Sequence, residues 1–314
     1  LPDGSKIAIF AREMVESQAK KQSKGAAFLS RLMSSLLSWA IVAGVFYSQD
    51  SRALIGLVLV IGVLGIIEFT VLTQSVGGRD ARLWALVVSL GYFAWLTVLG
   101  FSQPEALRGE NFLPEMVGLA LVVMGAFVVR LRHAIGGPES VLPIAIAVLG
   151  FCYVPILFVG FMSRLAFLAP GGDAVMGIWL LLLIAISTKF TDMGAYLVGS
   201  LIGRHKAIPH ISPAKSWEGY IGSIFFTIGG SLGIYYLGGE HFSWLGSVWH
   251  VVALSILIAL AAMVGDLAES ILKRSLHVKD SGKILPGIGG VLDLIDSLCF
   301  SAPLTYFYLK LFVL

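Results

Sequence analysis

Nine stretches of this chain are apolar over enough residues to cross the roughly 30 Å hydrocarbon core of a bilayer, a distance that takes about 20 residues of helix. They cover about 32–48, 53–73, 83–101, 114–129, 141–162, 176–202, 220–237, 249–272 and 290–312. Lipid offers no hydrogen bonds to the backbone, so runs of this kind must satisfy their own amides and carbonyls, which a helix does. The expected architecture is an all-α polytopic integral membrane protein with about nine transmembrane helices. Composition agrees: 57% of the 314 residues are hydrophobic and 13% are Asp, Glu, Lys or Arg, about half the charged share of a soluble domain. A water-soluble globule, a disordered chain, collagen and a coiled coil are excluded.

The basic residues set the orientation. Nine crossings put segments 1–31, 74–82, 130–139, 203–219 and 273–289 on one side, with seventeen of the twenty-two Lys and Arg. The other side holds Arg52, Arg108, Arg164 and Lys310, and Lys189 lies within a run. Positive residues favour the cytoplasm, which places the N-terminus inside and the C-terminus outside. The sixth run, with Lys189 and Asp192, reads as one crossing, because splitting it would send the last two basic loops outside. Residues 1–30 lack the short apolar core and cleavage site of a signal peptide. Their alternation of apolar and basic positions fits either an interfacial amphipathic helix or a solvated cytoplasmic tail. The organisation expected is this segment, a transmembrane scaffold over 31–170 and a transmembrane catalytic region over 171–314. Cys152 and Cys299 sit in apolar runs and read as packing residues.

Ionisable residues inside membrane runs are costly and mark function. Apart from Glu68 they gather late in the chain, in three clusters. From Thr191 to Gly219, Gly194, Gly199 and Gly203 allow close backbone approach, either for a ligand or for a helix seam, while Arg204, His205, Lys206 and Lys215 offer charge to an anion. From Gly265 to Lys283, Asp266, Glu269 and Lys273 fall at i, i+3 and i+7, one helix face. Two carboxylates there can hold a divalent cation, and Lys273, Arg274 and Lys279 can neutralise phosphates. From Ile284 to Ser297, the turn Pro286, Gly287, Gly289, Gly290 can present amides to a phosphate, and Asp293 and Asp296 follow at i, i+3. Acidic, oxygen-rich sites without His or Cys suit Mg²⁺ bound with phosphates. The pattern points to phosphoryl or nucleotidyl transfer at the inner face. No P-loop or H-E-x-x-H motif is present.

These residues resemble the signature of the phosphatidate cytidylyltransferase family, the CDP-diacylglycerol synthases. Ser270, Lys273, Arg274, Lys279, Asp280, Gly282, Leu285, Pro286, Gly287, Gly289, Gly290, Asp293 and Asp296 fall in register with it. The upstream "TDMGAY", "GRHK", "SPAKSWEG" and "GDLAES" are similar too. Ile288 stands where the signature usually has His, and Leu294 where it usually has Arg.

The resemblance implies transfer of the cytidylyl group of CTP to phosphatidic acid for phospholipid biosynthesis, releasing pyrophosphate. It implies Mg²⁺, with one or two cations held by Asp266, Asp293, Asp296 and Asp192. Lys273, Arg274, Lys279, Asp280 and Asp293 would form the catalytic set. Ser212, Lys215, Trp217, Glu218, Gly287, Gly289 and Gly290 would bind substrate. No strong base is needed, since a phosphate monoester is already ionised near neutral pH. Expected partners are CTP, phosphatidic acid and membrane lipid, with no nucleic acid, and a homodimer is plausible. A compact chain without a targeting segment fits the bacterial plasma membrane, with the site facing the cytoplasm. The competing readings are a CTP-dependent polyprenol kinase or related lipid cytidylyltransferase, a cation- or proton-coupled transporter, and a scaffold that has lost activity.

Overall fold

A computed structural model describes Met33 and residues 36–109, 111–282, 284 and 289–314. The 1–30 segment and part of the glycine loop, Gly287 and Ile288 included, lie outside the described residues. Among the described residues seven helical spans are long and apolar enough to cross a membrane. They are α2 (Ser51–Leu72), α3 (Arg79–Ser102), α5 (Leu113–Arg130), the composite α6–α7 span, α8 (Ala174–Ile202), α9 (Trp217–Gly238) and α10 (Val248–Ser275). The composite joins α6 (Leu142–Phe151) to α7 (Phe161–Ala166) through a π-helical stretch, Cys152–Gly160. Pro155 lies inside that stretch, and a residue without an N–H breaks the α-helical ladder. α4 (Pro104–Arg108) is a single turn between α3 and α5.

Two of the nine expected crossings fall outside these seven. The first, α1 (Leu36–Ser48), is apolar but shorter. The last, α11 (Leu292–Phe312), has 21 residues, and its Asp293, Asp296, Lys310 and hydroxyl side chains dilute its apolar character. The sixth run is one continuous helix, α8, as the charge pattern requires. It starts at Asp173, whose carboxylate accepts from the Val175 and Met176 amides at 2.8 and 3.3 Å, satisfying two of the first-turn donors.

The fold departs from an all-helical one in the 203–219 loop. There β1 (Lys206–Ile208) pairs antiparallel with β2 (Ser212–Ser216). Pro209 and Pro213 explain why the segment is extended, since each denies a helix its hydrogen bond and pushes the preceding residue towards β geometry. Ser216 ends the hairpin and caps α9, its hydroxyl accepting from Gly219 N at 3.2 Å.

α8 and α9 pack along a seam of small and hydroxyl residues. Ser187 meets Ser231 at 2.6 Å and Thr191 meets Thr227 at 2.8 Å. A Cβ on Gly194 would stand 2.8 Å from the Ser223 Cα. The glycines of the first cluster therefore serve helix packing, the interaction that membranes reward with van der Waals contact. α10 and α11 approach as closely at Gly265, where a Cβ would come 2.5 Å from the Asp296 carbonyl oxygen. Cys299 is buried and Cys152 half-buried, and both are free.

The scaffold half is less purely apolar than its sequence suggests. Arg164, 1% exposed, pairs with buried Glu115 at 2.9 Å. Tyr92 donates to the same carboxylate at 3.0 Å, and Arg164 also donates to the Asn111 carbonyl at 2.8 Å. Its guanidinium lies 4.2 Å from the centre of the Phe112 ring. Arg164 was expected in an outer loop. It is drawn inside because Glu115, at the start of α5, would otherwise be a buried, unpaired charge.

Candidate active site

Polar residues of the C-terminal half converge where α8, β2, α9, α10 and α11 meet. A cavity of about 340 Å³ there is lined by Asp192, Ser212, Lys215, Asp266, Asp293 and Asp296, with Tyr196 and Tyr220 among its other walls. Six of the residues assigned to metal or substrate from the sequence thus share one space, although they come from four separate elements. The hairpin is what delivers Ser212 and Lys215. Lys215 forms an ion pair with Asp266, tying β2 to α10 across the cavity. Burial lowers the Lys215 pKa from its ordinary value, with Asp192 and Asp296 opposing the shift.

Behind Asp293 stands Lys273. Its ammonium binds Asp293 Oδ1 and Glu269 Oε2, each at 2.6 Å, and all three side chains are largely buried. The second Asp293 oxygen accepts from the Ser281 hydroxyl at 2.7 Å, the Ser281 amide at 3.2 Å and the Gly290 amide at 2.8 Å. Asp293 is thus held at both oxygens. The shared helix face of Asp266, Glu269 and Lys273 does not make a two-carboxylate ligand pair: Glu269 turns to Lys273, and Asp266 turns to Lys215. Likewise the Gly290 N–H, read from sequence as a phosphate donor, is engaged by Asp293. Gly289 has φ of +121°, a conformation open to glycine and rarely to other residues.

Glu68 is the participant that sequence reading passed over. It projects from α2, and its Oε2 accepts from Leu292 N at 2.7 Å and from the Ser281 hydroxyl at 3.4 Å. Its other oxygen is buried with no partner among the described residues. A Cβ on Gly282 or Gly290 would collide with this carboxylate, so at both positions a glycine is needed for the backbone to pass this close to it. The signal was present as the one carboxylate in the second apolar run. Nothing in the sequence placed it beside residues more than 200 positions away.

Other assigned residues lie apart. Arg274, Lys279 and Asp280 are exposed and do not line the cavity. Trp217 is 57% exposed and packs edge-on against Tyr220. Glu218 accepts from the His205 amide at 3.2 Å and contacts His205 Nδ1 at 2.6 Å, which anchors the hairpin to α9. Among the described residues no three His, Cys, Asp or Glu side chains are gathered so as to hold a metal on their own. The cavity nevertheless offers carboxylate oxygens without His or Cys, and Mg²⁺ usually takes one or two carboxylates plus substrate phosphates. The donor set fits a cation that arrives with a nucleotide.

Seven long apolar helices with a cavity of acids and a lysine set among them are the pattern of a polytopic membrane protein. The sequence pattern of the cytidylyltransferase family matches residues 29–312, and the chain belongs to that family. Among curated relatives, the phosphatidate cytidylyltransferase of Staphylococcus aureus (strain COL) is 37% identical over 154 residues, 49% of this chain and 56% of the relative. That of Mycobacterium leprae (strain TN) is 37% identical over 160 residues, 51% of this chain and 47% of the relative. The chain thus spans about half the length of these relatives. Along the phosphatidate cytidylyltransferase of Brucella suis biovar 1 (strain 1330) the match is longer, 31% identical over 245 residues, 76% of this chain and 87% of the relative.

Proposed function

We propose that the chain transfers the cytidylyl group of CTP to phosphatidic acid, forming CDP-diacylglycerol and pyrophosphate. The observation that carries this reading is the gathering of Asp192, Lys215, Asp266, Asp293 and Asp296 around one cavity in a member of the cytidylyltransferase family. The relatives' names supply the lipid.

In this reaction a phosphatidate oxygen attacks the α-phosphorus of CTP, and the bond from that phosphorus to the bridging oxygen breaks as pyrophosphate leaves. Positioning and electrostatics supply most of such a rate. Asp293 and Asp266, with Asp192 and Asp296 beside them, would hold one or two Mg²⁺ ions. When bound, Mg²⁺ neutralises charge that builds on the departing phosphates. Lys215 supplies a cation over the cavity, released from Asp266 when a phosphate or metal competes for either partner. Lys273 fixes Asp293 through a direct ion pair, beside the phosphate contact that the resemblance implies for it. Arg274 and Lys279, exposed beside the site, attract the polyanion.

The finer topology belongs to the same proposal. Adding α1 and α11 to the seven spans restores nine crossings and the seventeen-to-four division of basic residues, with the site at the cytoplasmic face of a bacterial plasma membrane. A homodimer belongs to the same proposal, on the strength of the family resemblance alone.

The test is pyrophosphate release that depends on CTP, Mg²⁺ and phosphatidic acid, with CTP labelled in turn at its α- and γ-phosphates. Label from the α position should enter lipid. Entry of the γ label would mark a kinase and overturn the proposal, as would turnover with a polyprenol alone.

A further inference from the structure

Beside the polar cavity lies a second opening, an apolar groove of about 180 Å³ walled by α1, α2, the composite α6–α7 span, α8 and α11. Its α8 lining runs from Ile178 to Lys189, about 16 Å of helix axis. Among the described residues that line it, Lys189 alone is charged. That lysine stands where the two openings adjoin: it pairs with Asp192 at 3.6 Å, and Asp192 lines the polar cavity. The same division appears on α11, which turns Leu294, Ile295 and Leu298 to the groove and Asp293 and Asp296 to the cavity. A molecule with an anionic head and a long apolar chain would match both openings at once.

We infer that this groove holds one acyl chain of the anionic phospholipid substrate, with the lipid phosphate at Lys189 and so at the mouth of the cavity. The inference rests on the lipid-substrate reading above and extends it to a binding site. Charge complementarity selects the occupant. A neutral lipid or a packed helix would bring no anion to the groove side of Lys189, whose charge otherwise meets Asp192, at a separation too long for a hydrogen bond, and Asp296 on the cavity side. Lysine carries three donors, enough to keep a contact to Asp192 while meeting a phosphate. Depth in the groove then measures chain length, so the wall at Leu182 and Ala185 sets which acyl chains fit.

The experiment uses the full chain in phosphatidylcholine nanodiscs containing phosphatidic acid with a photoreactive diazirine midway along one chain, the labelled peptides being identified by mass spectrometry. Labelling should concentrate on groove residues such as Trp39, Leu182 and Leu298. Unlabelled phosphatidic acid should compete and added phosphatidylcholine should not. Lys189→Gln should weaken that competition. Ala185→Phe, or Leu182→Trp if that variant folds better, should raise KM for a long-chain phosphatidate by about tenfold or more and leave a dihexanoyl phosphatidate within about twofold. Labelling equally strong on the lipid-facing sides of α5 and α9, or indifferent to competitor, overturns the groove. So does a KM for the long-chain lipid that neither groove-filling variant moves. Selective labelling in a protein that shows no CTP-dependent turnover keeps the groove and sinks the cytidylyl-transfer reading, whereas turnover with diffuse labelling does the reverse.

Discussion

Lys273 sits between Glu269 and Asp293, and its position changes what a substitution at either carboxylate would do. Asp293→Asn keeps the size of the side chain but leaves Lys273 to Glu269 alone and removes the charge from the cavity wall. Turnover should fall by at least about 100-fold, the scale of losing one preorganised electrostatic contact. The protein should still be extracted folded in detergent, and pyrophosphate release measures the effect. Glu68→Ala strips the Leu292 amide of its acceptor, at a cost of about 1–3 kcal/mol for a buried group left unpaired, while the Ser281 hydroxyl keeps Asp293. The turn around Gly289 and Gly290 should loosen, read as faster tryptic cleavage at Lys279 with the rest of the chain equally protected. The contrast between these two residues shows what was legible. Asp293 announced itself by lying beside a glycine turn and three residues from another acid. Glu68 reaches the same loop through space, from a helix whose sequence shows only an isolated carboxylate. The departure at Leu294 also becomes intelligible, because that side chain faces the apolar groove, where a leucine is at home.

Each element is defined by hydropathy along the chain and modified by a few residues. α8 remains one helix through Lys189 and Asp192, because side chains at its surface can reach a partner or an opening without breaking the backbone ladder. Pro155 widens the α6–α7 span, and Pro209 and Pro213 hold the hairpin extended. Hydropathy cannot report such features, since it counts transfer energies and not hydrogen bonds. It also hid the Glu115–Arg164 pair by placing one partner at a run's edge and the other in a loop. This pair joins α5 to α7 far from the catalytic cavity. Tyr306, which packs edge-on against Phe112 at 6.0 Å, is thirteen residues along α11 from Asp293, about 20 Å of axis. Arg164→Met strands a buried carboxylate and should destabilise the bundle by about 3–5 kcal/mol. A lowered thermal midpoint in detergent checks this, and the surviving folded fraction should keep its turnover per molecule.

For the whole molecule, the orientation inferred from basic residues makes a direct prediction. In intact cells a membrane-impermeant maleimide should label Glu105→Cys and spare Lys206→Cys, and opening the membrane should expose the second. The reverse pattern would invert the molecule and carry the site to the wrong face for a cytosolic nucleotide. By itself the sequence pointed to a helical membrane protein of the cytidylyltransferase kind, and it gathers its ionisable residues within apolar runs late in the chain. Those conclusions rest on local quantities: transfer free energy per residue, periodicity along a helix, and a short motif whose spacing the chain itself maintains. Tertiary structure alone decided which acids share a cavity, that Lys273 serves Asp293, that Glu68 meets Ser281 and Leu292 and that an apolar groove adjoins the site. Each of these depends on which helix faces which. That choice is made by close approach at positions such as Gly194 and Gly265 and by buried charges finding partners across the bundle, and neither is written in the order of residues along the chain.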